Sequence, residues 1–598
     1  MSEKKGYSLL PTTSSEEEVQ ELQQRANSAV TPTNRLLRGL LKVFKLSVLV
    51  AVLVFIFYPD GDDDGDKSFP RHRHGHRHGH GDKKEHKYTF ETHMQADVDA
   101  LVAGSLESNI VWDRLAEMTD TYGNRIVGSE ALEKSIDWIV EKVKGDGLSV
   151  TTEEVVVDYW QRNEESLYFL SPTRGAVRLH VLGLGFSAPT PDPINGLEAE
   201  VVVVTSKTEV DELGAAGALK GRIVLYNKPF ESYDSDVIFR TQGANWAQEH
   251  GAVAVLVRSI GPLSLQSTHT GNSAAAKIPA ASVSIEDAQL LSRVYRRHQQ
   301  DPEQFPDWPK VRLAMNAKTA LKSKISRNII VELKGRETPE EVVAIGGHID
   351  SWDVGVGAVD DGAGCFIAWE ALRQLSKLDR PPRRTVRAVF WTSEENGSPG
   401  GRVYAANHPE TNTTRHVFAF ESDNGVFDPY GIKFTAGRRS QEEEEETKFN
   451  SYDFLTAAGE HFLGSRKDLG YPGAGQYVSP AGGGADIAPL CKQGVACAHF
   501  TPADPFPLPY STSPYYIKSS KPTGGRHGRH GRHHRHHHDD DDEEGSIDPP
   551  RRPVDSGYFY YHHTEADTMG AFTPDQVKNS AAVMAIWTYI AAESQVEL

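Results

Sequence analysis

The sequence predicts an α/β domain with a mainly parallel sheet, interrupted by a smaller β-rich segment. From residue 328 onward, short apolar strands alternate with helix-like stretches, and this alternation is typical of α/β domains. Residues 199–315 have a different pattern, in which three short and continuous apolar runs are predicted as buried strands. Polar side chains follow the predicted strands of the α/β part, which indicates that this part carries the functional site.

The predicted elements are described in chain order. Helix-like apolar spacing covers 94–117 and 130–143, and strands follow at 150–159 and 167–170. In the β-rich segment a helix over 239–251 separates the last two of the strands predicted at 201–204, 222–226 and 252–257. The α/β part is predicted as strand 328–333, strand 341–346, helix 364–375, strand 384–391, helix 400–407 and strand 415–420.

Composition restricts the class of protein. The chain has 598 residues, 38% hydrophobic and 25% charged, which is enough for two or three domains with buried cores. A net charge of −19 argues against a nucleic-acid-binding protein, because phosphate neutralisation needs a basic surface. The three cysteines exclude a disulfide framework and a cysteine-only metal cluster. Cys491 and Cys497 could pair in an oxidising compartment, and Cys365 is predicted as a small core residue.

Residues 40–58 are predicted as an uncleaved membrane anchor. The apolar run at 46–58 extends back to residue 40, and two lysines within the extension can reach the headgroups. Basic residues precede the segment and acidic residues follow it, which places residues 1–39 in the cytosol and the remaining chain in the lumen or outside the cell. This is a single-pass type II topology. A cleaved signal peptide is the alternative, which the long polar lead disfavours.

Two short motifs bear on the compartment. Residues 7–10, Tyr-Ser-Leu-Leu, resemble the tyrosine-based sorting signal that clathrin adaptors bind, which would route the protein to endosomes, lysosomes or a vacuole. An inert cytosolic tail is the alternative, and the protein would then be secreted or stay at the cell surface. Asn412 begins an Asn-Thr-Thr motif and is predicted as a glycosylation acceptor on the lumenal side.

Two tracts are rich in histidine, the linker 59–91 and a low-complexity insert over about 512–552. Together they contain thirteen of the 25 histidines. Neutral imidazole is a good metal ligand, so these tracts could bind zinc or copper loosely. The favoured interpretation is that both are solvated, disordered segments.

Carboxylates and imidazoles follow successive predicted strands of the α/β part. Open α/β sheets place their sites at the carboxyl ends of the strands, where neighbouring loops meet. The candidate residues are His348, Asp350, Asp360, Glu394, Glu395, Asp423 and, near the C-terminus, His563. Each motif alone is common in ordinary loops. Their order at successive strand ends is what predicts a site.

Two histidines and three carboxylates are a suitable ligand set for two Zn²⁺ ions. Two ions a few ångströms apart would activate a shared water and polarise a scissile carbonyl. A glutamate that does not bind the metal would take the proton of that water and pass it to the leaving amine. This chemistry predicts a metal-dependent hydrolase.

Four segments resemble one known family. They are 347–370, 391–395, 421–425 and 562–568, and they are similar to the co-catalytic di-zinc peptidases, within them the carboxypeptidase Q group. The resemblance covers residues 92–598 except the insert at 512–552. It implies a zinc exopeptidase domain formed by 92–198 and 316–598, with a protease-associated domain inserted at 199–315.

The resemblance also implies roles for the candidate residues. It implies two zinc ions per chain, held by His348, Asp360, Glu395, Asp423 and His563. Asp360 would bridge the ions through a loop in which the Asp360–Asp361 peptide bond is cis. His563 is preferred to His562 because its spacing to Asp567 fits the family pattern His-x-x-x-Asp-Thr.

Two further residues receive roles from the resemblance. Glu394 would be the general base. Asp350 would lie behind His348 and fix its tautomer.

The sequence therefore predicts a membrane-anchored, lumenal zinc exopeptidase that cleaves dipeptides or short peptides. An aminopeptidase acting on longer peptides is the first alternative, and the choice depends on the pocket near Asp486, Tyr558 and Tyr560. A receptor of the same fold without metals, or a metal-storage protein, would leave the ordered ligand set unexplained. A homodimer is implied by the resemblance only.

Overall fold

The computed structural model describes residues 88–273, 276–411, 414–438, 450–505, 557–596 and 598. The predicted cytosolic tail and anchor, most of the linker 59–91, Asn412 and the insert at 512–552 therefore lie outside the described residues. Among the helices that are described, none is long and apolar enough to cross a membrane. The described chain forms two eight-stranded sheets, one in the α/β domain and one in the insert.

In the described residues, the α/β domain contains the first sheet and eight α-helices. Its strands are β1 (Ser149–Gln161), β10 (Lys318–Leu333), β11 (Thr338–His348), β12 (Arg384–Trp391), β13 (Arg415–Glu421), β14 (Pro429–Thr435), β15 (Tyr477–Pro480) and β16 (Ala496–Pro502). Its described helices are α1 (Thr92–Leu106), α2 (Ile110–Tyr122), α3 (Glu130–Gly145), α7 (Ala363–Leu375), α8 (Pro399–Asn407), α9 (Ser451–Phe462), α10 (Ala488–Gln493) and α11 (Pro574–Glu593).

The insert forms the second sheet. Its strands are β2 (Glu165–Ser171), β3 (Gly175–Leu179), β4 (Val181–Gly183), β5 (Leu197–Val204), β6 (Ile223–Tyr226), β7 (Ala254–Arg258), β8 (Ala280–Val283) and β9 (Lys310–Met315). Its helices are α4 (Lys207–Ala215), α5 (Tyr233–Glu249) and α6 (Ile285–Gln300).

The sheet of the α/β domain has a parallel centre and mixed edges. Its strand order is β1-β10-β12-β11-β13-β16-β14-β15, and β12, β11, β13 and β16 are parallel to one another. The flanking strands β10 and β14 run antiparallel to this centre. The α/β class is confirmed, and the sheet is more mixed than the sequence predicts.

Helices cover both faces of the central strands. All eight residues of β12 are buried, as expected for a strand with helices on either side. Val386, Ala388 and Phe390 pack into the core formed with α7 and α11, whereas Val389 and Trp391 pack into the core formed with α8 and α10. The strand period of two residues therefore divides one apolar run between two cores.

The insert sheet has the order β3-β2-β9-β5-β6-β7-β8-β4, with β5 to β8 parallel. It begins at Glu165, so residues 165–183 belong to this sheet, although the sequence analysis assigns them to the part 92–198. The reason is long-range pairing, since β2 pairs with β9 and β4 pairs with β8. Local sequence patterns do not contain that information.

The cysteines behave as two classes. Cys491 and Cys497 form a disulfide between α10 and β16. Cys365 is free and completely buried in α7.

Candidate metal centre

Three neighbouring strands deliver the candidate ligands to one edge of the sheet. The last residue of β11, His348, is in register with Trp391 at the end of β12, and Gly346 is in register with Glu421 at the end of β13. Glu394 and Glu395 therefore follow β12, and Asp423 follows β13, at the same level as His348. Asp360 and His563 reach this edge from the loop before α7 and the turn before α11.

The five predicted ligands form two groups that share Asp360. In the first group His348 Nε2 lies 3.1 Å from Asp360 Oδ1 and 3.4 Å from Asp423 Oδ1. In the second group His563 Nε2 lies 3.2 Å from Asp360 Oδ2 and 2.9 Å from Glu395 Oε2. Each oxygen of one carboxylate thus faces a different group.

This donor set fits a pair of zinc ions. Within each group the ligand atoms lie within 4.8 Å of one another. Asp360 Oδ2 and Glu395 Oε1 are buried and accept no hydrogen bond from a described residue. Buried carboxylate oxygens are costly unless a cation or a donor satisfies them. Histidine nitrogen and carboxylate oxygen are the ligands that Zn²⁺ takes in catalytic sites.

Asp350 contacts both His348 and the turn that contains Glu394 and Glu395. His348 Nδ1 lies 2.9 Å from the backbone oxygen of Asp350 and 3.8 Å from its carboxylate. A carbonyl only accepts, so Nδ1 carries the hydrogen and the Nε2 lone pair faces Asp360. The carboxylate of Asp350 instead accepts from the backbone N–H of Glu394 at 3.1 Å and of Glu395 at 3.4 Å. Asp350 therefore fixes the histidine tautomer with its main chain and the Glu394–Glu395 turn with its side chain.

The loop between His348 and Asp360 is held closely against β11. The Asp360–Asp361 peptide bond is cis, as the resemblance to the peptidase family implies. The Asp361 carboxylate accepts from the backbone N–H of His348 at 3.1 Å and of Gly364 at 3.2 Å. A Cβ on Gly347 would lie 2.0 Å from Asp361 Oδ2, so only glycine allows this close approach.

Arg125 belongs to the site, although no motif in the sequence marks it. It is completely buried between α2 and α3, and its guanidinium donates to the backbone oxygens of Ile349, Val356 and Gly357, each at 2.7 Å. These three carbonyls lie in the loop that connects His348 with Asp360. Arg125 therefore fixes the separation of two ligands from more than 200 positions away in the chain.

Glu421 is a second such residue. Its buried carboxylate accepts from the backbone N–H groups of Ala485, Asp486 and Ile487 at 2.9–3.1 Å, and burial raises the pKa of Glu421 to about 7. The loop 485–487 is thereby attached to the end of β13. Asp486, which the sequence analysis places near the substrate pocket, is buried with both carboxylate oxygens accepting no hydrogen bond from a described residue.

The insert contributes side chains to the centre. His269 Nε2 lies 2.9 Å from His562 Nδ1, and Thr270 N–H donates to the His563 carbonyl oxygen at 2.9 Å. The amide of Asn272 donates to the backbone oxygen of Glu395. The sequence gives no sign of these contacts, because they join residues 123 to 293 positions apart.

A cavity of about 640 Å³ opens between the insert and the metal centre. The centre provides its acidic wall, and α5 of the insert provides Tyr233 and Arg240. Tyr558 lines the cavity as expected, whereas Asp486 and Tyr560 are not among its lining residues. Glu394 also lines it without belonging to either ligand group.

The chain is similar to characterised peptidases. Residues 328–588 match the profile of peptidase family M28, and residues 197–291 match that of the PA domain. Carboxypeptidase Q of Bos taurus is 34% identical over 493 residues, which cover 81% of this chain and 86% of the relative. The structure of a peptidase M28 precursor from Shewanella amazonensis matches 84% of this chain and 98% of its own length, with 27% identity and a TM-score of 0.65.

A more distant structure shares the fold. A zinc aminopeptidase from Bacillus subtilis matches 81% of this chain and 95% of its own length, with 18% identity and a TM-score of 0.51.

Replacing Arg125 by lysine tests how far the centre depends on this guanidinium. One ammonium cannot donate to three separated carbonyls, so we expect Arg125→Lys to weaken zinc binding by about 10- to 100-fold. Zinc affinity is measured by competition with a chelator. The matched control is Arg174→Lys in the exposed turn before β3, which should bind zinc as the unaltered chain does. Unchanged affinity in Arg125→Lys would contradict the assigned role.

Proposed function

The chain belongs to peptidase family M28, and we propose that, as a zinc metallopeptidase of this family, it hydrolyses dipeptides and other short peptides with two zinc ions. The observation that carries the proposal is the sharing of Asp360 by two ligand groups, each completed by one histidine and one further carboxylate. His348 and Asp423 would hold one ion, and Glu395 and His563 would hold the other. When bound, the ions activate a water molecule and polarise the scissile carbonyl.

Glu394 is the proposed proton carrier. Its side chain lines the cavity, and its backbone is fixed by the Asp350 carboxylate, so it faces a substrate without binding the metal. Burial raises the pKa of Glu394 well above its ordinary value. A carboxylate with a raised pKa is a better proton acceptor, and this suits a group that takes up a proton and then releases it. We assign it the transfer of a proton from the attacking water to the leaving amine.

The cavity supports a short substrate. A volume of about 640 Å³, closed on one side by the insert, is in the range of pockets that enclose a small ligand. The receptor alternative is disfavoured by the buried carboxylates, because a protein without metals would have to keep these oxygens unsatisfied.

We further propose that residues 40–58 anchor the protein in a membrane with residues 59–598 in the lumen or outside the cell. The charge asymmetry around the apolar segment supports this topology. Sorting to endosomes, lysosomes or a vacuole through residues 7–10, glycosylation at Asn412 and self-association stay predictions of the sequence.

Anchoring is tested by extracting membranes with sodium carbonate. We expect the full chain to stay in the membrane fraction and the double variant Val50→Asp, Phe55→Asp to be released, because each charge in the bilayer centre costs about 3 kcal/mol. The control Val50→Leu, Phe55→Leu should stay in the membrane. Release of the unaltered chain would refute the anchor.

Zinc content tests the shared ligand. We expect two zinc ions per chain by mass spectrometry of the purified protein, about one in His348→Ala or His563→Ala, and none in Asp360→Ala, because Asp360 serves both groups. The surface variant His298→Ala should keep both ions. The two-ion proposal would be contradicted if the unaltered chain held a single zinc that Glu395→Ala removes and Asp423→Ala retains.

Activity tests the general base. We expect Glu394→Gln to lower kcat by about 10²- to 10⁴-fold while zinc content is unchanged, since the amide cannot accept the proton. Glu565→Gln, an exposed position near the centre, should have normal kcat. The substrates are an unblocked dipeptide, its N-acetyl form and its amide. Cleavage of the acetylated form would indicate a carboxypeptidase, and cleavage of the amide an aminopeptidase. No cleavage by the zinc-loaded chain would refute the proposed function.

A further inference from the structure

Lys433 is a half-buried cation in the wall of the cavity. It lies on β14, in register with His499 of β16, and lines the cavity together with Asp423 and Asn424. Its ammonium makes no hydrogen bond and no ion pair with any residue in the described ranges. No described residue therefore occupies its three N–H donors, and they can bind a molecule in the cavity.

Other partly buried lysines of this protein are paired. The side chain of Lys228 is 21% exposed and contacts Asp236 and Glu231, and that of Lys578 is 14% exposed and contacts Asp575. A partly desolvated ammonium without an anion is unfavourable, which explains these pairs. Lys433 departs from them although an acidic residue, Asp423, lines the same cavity. Asp423 is directed instead toward His348, at 3.4 Å.

The second cation of the cavity, Arg240, is committed to the insert. Its Nη1 donates to the Thr270 carbonyl oxygen at 2.9 Å and its Nη2 donates to the Tyr233 hydroxyl at 2.9 Å. A Cβ on Gly271 would lie 2.3 Å from the guanidinium, so the arginine is closely packed against this loop. Arg240 therefore positions the residues around His563. Its buried Nε also makes no hydrogen bond with a described residue, but Lys433 has all three N–H donors unpaired within the described ranges.

We propose that Lys433 binds the free α-carboxylate of the peptide substrate and so determines specificity for substrates that end close to the scissile bond. This inference rests on the proposed function of the cavity. A carboxylate would replace the lost hydration of the ammonium with a charge-assisted hydrogen bond, one of the stronger polar contacts in proteins. The amide or ester of the same peptide lacks the charge and would not be held there.

The kinetic test compares alanyl-alanine with alanyl-alanine amide. For the zinc-loaded full chain we expect Lys433→Met to raise KM for the free acid by about tenfold or more, with kcat nearly unchanged and no effect on the amide. Lys433→Arg should retain most of the preference for the acid, and Lys433→Glu should invert it. The control Lys334→Met, an exposed lysine after β10, should leave both substrates unaffected.

Two kinetic outcomes would overturn the inference. An equal loss on both substrates would mean that Lys433 only maintains the structure around Asp423. No loss on the acid would mean that the carboxylate binds elsewhere.

A binding measurement keeps the inference separate from the proposed function. Calorimetry of the same two dipeptides on Glu394→Gln needs no turnover. The role of Lys433 is supported if Glu394→Gln binds the acid more tightly than the amide and the double variant Glu394→Gln, Lys433→Met does not. This holds even if the unaltered chain hydrolyses neither dipeptide and the proposed function fails. Equal binding of acid and amide overturns the role of Lys433, even if hydrolysis is observed.

Discussion

The structure around the centre depends on one carboxylate that faces two ligand groups at once. Asp360 lies within about 3 Å of a histidine on either side, and both histidines and all their carboxylate partners are held at distances that leave room for cations. Because the two groups share Asp360, a displacement of its side chain would disturb both. Several neighbouring residues hold Asp360 in place through hydrogen bonds to the loop around it. Arg125 fixes the loop that leads to Asp360. The Asp361 carboxylate accepts from the N–H of His348 at the end of β11, and the Asp567 carboxylate accepts from the N–H of Val359 at 2.6 Å.

Burial of so many acidic groups has an electrostatic consequence. Without compensation, several carboxylates in one buried cluster would be protonated or would destabilise the fold. Burial raises the pKa of Asp361 and of Glu394 well above their ordinary values, and the buried oxygens of Asp360 and Glu395 accept no hydrogen bond from a described residue. The proposed pair of zinc ions would resolve this conflict. The stability of the centre and its proposed chemistry would then both follow from the same charge arrangement.

The insert is part of the centre rather than an independent module. Its loop 269–272 contacts both histidines of the C-terminal turn and the carbonyl of Glu395, and its helix α5 forms one wall of the cavity. The first strand of the insert, β2, pairs with its last strand, β9, so the two ends of the insert meet within one sheet. A substrate would consequently meet residues of both domains, with the metal ligands on one side and aromatic and basic groups of the insert on the other.

The sequence by itself determined the α/β class, the inserted β-rich segment and the edge of the sheet that carries the candidate residues, and its resemblance to a peptidase family implied which of them are ligands. It could do so because strands and helices have local apolar periods, and because a parallel sheet brings the ends of its central strands to one edge. Only the tertiary structure decided which groups hold these residues in place. Arg125, Glu421 and His269 are single polar residues whose partners lie far along the chain. The tertiary structure also decided that Asp350 contacts His348 through its carbonyl oxygen. Lys433 is likewise an ordinary lysine in its strand, and its lack of a partner among the described residues is visible only once the cavity has formed. The contacts of Arg125, Glu421 and His269 join segments 64 to 293 residues apart, and no local pattern of residue types encodes that packing.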